Sequence, residues 1–216
     1  LQIVGTINPY CALLAESIGH KAIYLSGAGV ANASFGLPDL AITTLNDVLE
    51  DVRKITSAST LPLLVDIDTG WGGELNIQRT IKEMIRAGAS GVHIEDQKNQ
   101  KRCGHRPNKQ LTTAEDMVDR IKAAVDARTD DDFLIMARTD AYSNLGLDEA
   151  IERSMKYIEA GADAIFPEAL EELEDYKAFS NSLGVPILAN MTEFGRTPMF
   201  NINELKAVDV SMVLYP

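Results

Sequence analysis

The chain has 216 residues, of which 45% are hydrophobic and 24% charged, a globular balance that excludes disorder, collagen and coiled coil and leaves enough chain for one large core. Against 32 acidic side chains stand 20 Lys and Arg, for a net charge of −12. The summed field repels nucleic acid and anionic lipid, so neither a nucleic acid nor a membrane is an expected partner.

The first apolar run, residues 3–7, reads as a strand, and Cys11-Ala12-Leu13-Leu14 follows as apolar helix in which Cys11 is expected to be a small core residue. A second strand, 22–25, leads into Gly27-Ala28-Gly29, where Val30-Ala31-Asn32 replaces the completing glycine of a dinucleotide-binding turn. Further strands are expected at 63–67, 91–94, 133–137, 164–166, 185–189 and 211–214, with helical spacing at 75–87, 114–127 and 147–160 between them. Gly19, Gly88 and Gly161 sit where helix passes to strand and suit the left-handed position that stops a helix. Joints this short make successive strands parallel. Eight parallel strands with intervening helices predict a single (β/α)8 TIM-barrel domain over 1–216, with an open doubly wound sheet as runner-up.

Leu1-Gln2-Ile3-Val4 reads at once as strand without an initiator Met, and the sequence stops at the eighth strand. The expectation is a fragment that lacks an N-terminal segment and the C-terminal helices. No apolar stretch reaches the roughly 20 residues that span a bilayer, and no signal-peptide pattern opens the chain, so a soluble protein is expected. Two cysteines in a chain this long favour a reducing compartment, with the cytoplasm as default.

Active sites of such barrels lie at the carboxyl ends of the strands. The candidates there are Tyr24 and Ser26, then Asp66 and Asp68, then His93, Glu95 and Asp96, then Arg138 and Asp140, and finally Glu168, Asn190 and Thr192. Asp66 and Asp68 are two apart, so strand alternation aims both carboxylates at the mouth, where paired negative charge calls for a cation. Hard oxygen donors suit Mg2+, with Glu95 and Glu168 near enough to complete the shell. The alternative is that one aspartate caps the next helix and the other is solvated.

The basic run Lys101-Arg102-Cys103-Gly104-His105-Arg106-Pro107-Asn108-Lys109 lies in a long connection of the kind used as a functional lid. Cations beside a cysteine favour its thiolate and suit it to proton transfer, and Gly104 is expected to let the loop close. The bland alternative is a solvated basic loop. His93 is expected either to orient Glu95 or to be a satisfied core histidine, and Trp71 to shape the loop after the aspartates and pack on a substrate.

Val65-Asp66-Ile67-Asp68-Thr69-Gly70-Trp71-Gly72, His93-Ile94-Glu95-Asp96-Gln97, Lys101-Arg102-Cys103-Gly104-His105, Met136-Ala137-Arg138-Thr139-Asp140 and Phe166-Pro167-Glu168 resemble the isocitrate lyase and phosphoenolpyruvate mutase superfamily. The cysteine element points to its lyase branch. The resemblance implies Mg2+-dependent cleavage of a small tricarboxylate, 2-methylisocitrate, to pyruvate and succinate, with Mn2+ a possible substitute. It implies that Asp66, Asp68 and Glu95 serve the metal and that Ser26, Gly27 and Ala28 bind the pyruvate-forming carboxylate. Gly104, Arg138, Glu168, Asn190 and Thr192 would contact substrate. Cys103 would act as general acid with Lys101 and His105 beside it, and Tyr24 as base, a metal-ordered water or a carboxylate being its rivals. The resemblance further implies a homotetramer with exchanged C-terminal helices. Isocitrate or 2,3-dimethylmalate lyases, phosphonate mutases or hydrolases and oxaloacetate decarboxylases share the scaffold, and a catalytically silent barrel is the remaining alternative.

Overall fold

The structure is a computed structural model that describes residues 1–216. It opens with β1 (Gln2–Gly5), α1 (Pro9–Ser17), β2 (Ile23–Leu25), α2 (Gly27–Gly29) running into a π-helical turn at Val30–Ser34, α3 (Leu45–Ala58) and β3 (Leu63–Asp66). The middle of the chain is α4 (Glu74–Arg86), β4 (Gly91–Glu95), α5 (Ala114–Ala127), β5 (Leu134–Thr139), α6 (Tyr142–Leu145) and α7 (Leu147–Glu159). It ends with β6 (Ala164–Pro167), α8 (Leu173–Leu183), β7 (Leu188–Asn190), α9 (Ile202–Ala207) and β8 (Met212–Tyr215).

All eight strands pair in parallel in the order β6-β5-β4-β3-β2-β1-β8-β7, and a single bridge between Ile165 and Ile187 joins the two ends. The result is the expected barrel, nearly closed. Its seventh strand begins at Leu188 instead of 185, because Pro186 has no N–H to give to a ladder. Gly19, Gly88 and Gly161 hold φ of 93°, 85° and 107°, the left-handed region that ends each helix.

Two cores follow from the two faces of each strand. The larger, with 43 buried residues, fills the space between strands and helices; the smaller, with 10, fills the barrel. Ile3, Tyr24, Leu64, Met136, Phe166 and Leu214 belong to the inner one. Side chains two residues further along the same strands share that inward face. Pairing of Asp66 with His93, His93 with Met136, and Glu95 with Arg138 therefore sets His93 among the apolar side chains and Asp66, Glu95 and Arg138 in the layer above them. No helix is long and apolar enough to cross a membrane.

Candidate active site

A cavity of about 530 Å³ opens at the carboxyl ends of the strands. Its walls come from the rim (Tyr24, Ser26, Ala28, Asp66, Arg138, Glu168), from Asn190 and Thr192 after β7, and from the loop after β4, where Lys101, Cys103, Gly104 and His105 close over it. Gly27, Asp68 and Glu95 stand just outside that wall. Gly27 lies under the carboxylates, Glu95 is fully buried beside Arg138, and Asp68 borders a neighbouring cavity of about 410 Å³.

Asp66 ends β3, but Asp68 does not continue the strand: its φ is +49°. A turn, not strand alternation, aims it. Asp66 Oδ1 accepts from the Asp68 N–H at 3.0 Å and Asp66 Oδ2 from the Gly27 N–H at 3.1 Å. The two carboxylates converge on Gly27, where a Cβ would sit 3.0 Å from Asp68 Oδ1 and 3.1 Å from Asp66 Oδ2. Neither caps the next helix, since α4 takes Gly73 as its N-cap. Burial raises both carboxyls; around Asp66 the neighbouring His93, Lys101 and Arg138 overrule it and keep that group low, whereas Asp68 is pushed up to about 6 by burial with Asp66 as a further cause.

Positive charge already sits there. Lys101 Nζ lies 2.8 Å from Asp68 Oδ1 and also pairs with Asp39, and these carboxylates, with Glu95, outweigh burial and keep the ammonium charged. Both oxygens of Glu95 are buried without a hydrogen-bond partner, and burial drives that carboxyl well above its ordinary range. Two converging carboxylates and an unpartnered third are hard-oxygen donors of the kind a small divalent cation takes. No three His, Cys, Asp or Glu side chains gather to enclose an ion by themselves, so a cation would keep open positions for substrate or water oxygens.

Arg138 ties the rim together. Its guanidinium donates to Asp140 at 3.1 and 3.2 Å, lies 3.2 Å from Glu168 Oε2 and 3.5 Å from Glu95 Oε2, and stands 5.2 Å above the Phe166 ring. Burial penalises the Glu168 carboxylate, but Arg138 and His105 more than offset it and hold the group far below its usual range. Asn190 Nδ2 lies 3.4 Å from Glu168 Oε1, and its own Oδ1 is buried without a partner.

The loop after β4 is pinned at its neck and tip. Gln97 exchanges side-chain hydrogen bonds with the backbone of Arg102 at 2.8 and 3.0 Å and bridges Leu111. His105 Nδ1 accepts from the Arg196 N–H at 2.9 Å, which assigns the neutral-ring proton to Nε2, 3.0 Å from Glu168 Oε1. Gly104 serves close approach rather than freedom to move: a Cβ there would run into Glu168, Arg138 and Asp140.

Several expectations are corrected. Tyr24 is a poor base, because burial, then the Asp66 carboxylate, push its phenol well above the ordinary value; its hydroxyl lies 2.9 Å from His93 Nε2. His93 faces Tyr24 and Phe166 rather than orienting Glu95, and burial depresses it to about 4, leaving it neutral. The Gly27 N–H is taken by Asp66 and so is not free for a carboxylate, whereas the Ser26 hydroxyl, which accepts from the Gly29 N–H at 3.2 Å, keeps its own proton to donate, and Ser26 and Ala28 both line the cavity. Cys11 is not core: it is half-buried and lines the cavity. Trp71, with φ of +58°, borders the neighbouring cavity instead. Asp39 was missed altogether, and Lys109 was read only as the end of the basic run. Asp39 follows Pro38 in a loop without periodicity, and its pairing with Lys101 and its place on the cavity wall reveal it.

A family profile described as "Phosphoenolpyruvate phosphomutase" matches residues 2–216. The 2-methylisocitrate lyase of Vibrio cholerae is 65% identical over all of this chain and 72% of its own length, and that of Escherichia coli 61% identical over all of this chain and 73% of its own. Among solved structures, a 2,3-dimethylmalate lyase superposes with a TM-score of 0.96 at 36% identity, covering 100% of this chain and 73% of that one. A phosphonopyruvate hydrolase in complex with oxalate and Mg2+ superposes with a TM-score of 0.85 at 33% identity, covering 99% and 74%. The likeness to the lyases spans the rim and the cysteine loop together, and the chain belongs to the phosphoenolpyruvate mutase and isocitrate lyase family, as an enzyme of its carbon-carbon lyase branch.

Proposed function

We propose that the enzyme cleaves 2-methylisocitrate to pyruvate and succinate, with Mg2+ as cofactor and Cys103 as general acid. The observation that carries this reading is the half-buried thiol of Cys103, held on a closed loop over a cavity that Asp66 and Arg138 also line. Names of the closely similar lyases support the substrate, and the Mg2+ of the similar hydrolase structure supports the metal. Phe166 and Leu214 offer apolar wall for a methyl group, whose burial is worth about 1–3 kcal/mol.

Asp66 and Asp68 would hold the cation, with Glu95 serving it through water. The chemistry it supplies when bound is Lewis-acid polarisation of the oxygen that becomes the pyruvate keto group. Arg138 binds a substrate carboxylate, and the unpartnered oxygen of Asn190, with Thr192, meets the succinate-forming half. The hydroxyl proton passes to a carboxylate of the rim rather than to Tyr24. As the carbon-carbon bond breaks, its electron pair stays on the succinate fragment, and the Cys103 Sγ–H protonates that carbon. Lys101 and His105 keep the loop closed and water out.

The same likeness supports a cytoplasmic enzyme of propionate breakdown through the methylcitrate cycle, working as a homotetramer. Tyr10, Leu13 and Leu14 on α1 and Ile18 just after it are exposed, an apolar surface that suits a neighbouring subunit. The test is incubation with Mg2+ and, separately, 2-methylisocitrate, isocitrate, 2,3-dimethylmalate and phosphonopyruvate. Pyruvate with succinate from the first is expected; efficient release of phosphate from the last, or glyoxylate as the preferred product from isocitrate, would overturn the reading.

A further inference from the structure

We infer that Lys109 is a positioning residue that latches the cysteine loop shut from outside the cavity, tying the Gly104 carbonyl to Asp140 at the end of β5. The inference deepens the proposed lyase reading, since the segment it holds carries Cys103.

The Lys109 side chain is only 1% exposed, yet it does not border the cavity. An ammonium is almost never buried this far unless it is paired, because its desolvation costs more than its stem gains. Lys109 Nζ donates to Gly104 O at 2.5 Å and to Asp140 Oδ1 at 3.2 Å. Asp140 and the Lys109 backbone are both held from outside the loop. The Asp140 N–H donates to Asp96 Oδ1 at 2.8 Å while its carboxylate accepts from Arg138, and Asn144 Nδ2 donates to the Lys109 carbonyl at 3.0 Å. A continuous chain of charge-assisted contacts thus runs from β5 through Asp140 and Lys109 to the carbonyl of Gly104, the residue after Cys103.

Gln97 holds only the neck of the loop and the Arg196 N–H holds His105, while the ion-pair ties of Lys101 and His105 are made in or beside the site. Lys101 pairs with Asp68, and His105 faces Glu168, so an incoming anion or cation competes for both. The Lys109 tie lies behind Gly104 and faces no such competition. It is therefore the charged contact able to hold the peptide next to Cys103 once the cavity fills, which assigns it to the chemical step more than to binding.

Lys109→Met tests this with little risk to folding, because Asp140 keeps both of its bonds to Arg138. Iodoacetamide labelling of Cys103, read by peptide mass spectrometry so that Cys11 is counted separately, should speed up by ~10-fold or more, the scale on which losing charge-assisted hydrogen bonds shifts a closing equilibrium. With 2-methylisocitrate, kcat should fall by a similar factor while KM moves by less than ~3-fold, the pattern of a contact used in the transition state. Lys109→Arg should recover part of both. Labelling at the wild-type rate in a folded Lys109→Met protein overturns the latch, whatever its melting temperature does. Lys109→Gln, too short to span both acceptors, carries the same expectation should the Met variant not fold. Labelling that responds to Lys109 in an enzyme that cleaves no tricarboxylate would sink the lyase reading and leave the latch standing.

Discussion

The rim of the barrel, rich in carboxylates, and the basic loop that covers it place their charges by opposite means. At the rim, Asp66, Glu95 and Arg138 stand on strands whose pairing register already faces them inward, so the backbone positions them and neighbouring charges only tune them. In the loop, Lys101, Gly104, His105 and Lys109 stand on backbone with no helix and no ladder beyond its neck, and each is placed by a partner distant in sequence: Asp68, Arg138, Glu168 and Asp140. The loop has no place of its own without the rim.

That contrast can be broken, first, by removing the cation expected at the rim. Chelation should cost turnover about 10³-fold or more, in line with the several kcal/mol a Lewis acid contributes. Mg2+ or Mn2+ should restore it; turnover indifferent to chelator, followed as pyruvate release, ends the rim's metal role. Next comes the loop: Cys103→Ser should keep the fold, checked by circular dichroism, and lose ~10²-fold or more in kcat, the usual scale for a positioned general acid.

Arg138 sharpens the comparison through stability. Arg138→Met leaves Glu95, Asp140 and Glu168 facing one another without their shared cation, and breaking a buried pair in this way costs about 3–5 kcal/mol. Denaturant unfolding should show that loss, whereas replacements confined to the loop should show little.

The smallest effect concerns the layer beneath the rim. His93 titrates near 6.5 unfolded and at about 4 in the fold, so between those values the unfolded chain binds the extra proton and His93 removes stability as pH falls, by about 3 kcal/mol in all. Asp68, raised from 3.8 to about 6, works with the opposite sign: its contribution is present at low pH and lost as pH rises through 6. The two should nearly cancel. His93→Gln should unmask Asp68, so that the variant gains on the wild type by about 3 kcal/mol between pH 7 and pH 4 in denaturant titrations. Parallel pH profiles for the two proteins would contradict the assignment.

Much of the rim was legible in the chain because a charged residue closing an apolar run has a forced position once the run is a barrel strand, as for Asp66, Glu95 and Arg138. Asp68 was legible for the wrong reason: the spacing from Asp66 suggested alternation, and a left-handed turn made the two carboxylates meet instead. Tyr24 looked like a base by its place at the mouth, yet burial is a property of everything packed around it, and burial keeps it a phenol. Cys11 looked like core because its neighbours are apolar, but the face it takes depends on where the cavity opens.

Periodicity and punctuation, which are local, determined the eight strands, the helices between them, the glycines that end those helices, and hence the end of the barrel where chemistry lies. Long-range packing alone decided that Asp39 meets Lys101, that His93 serves Tyr24, and that Lys109 reaches Gly104 and Asp140. The reason is distance along the chain: a strand's inward face follows from alternation over a few residues, whereas a buried ion pair between residues 31 or 62 apart exists only after the intervening elements have packed.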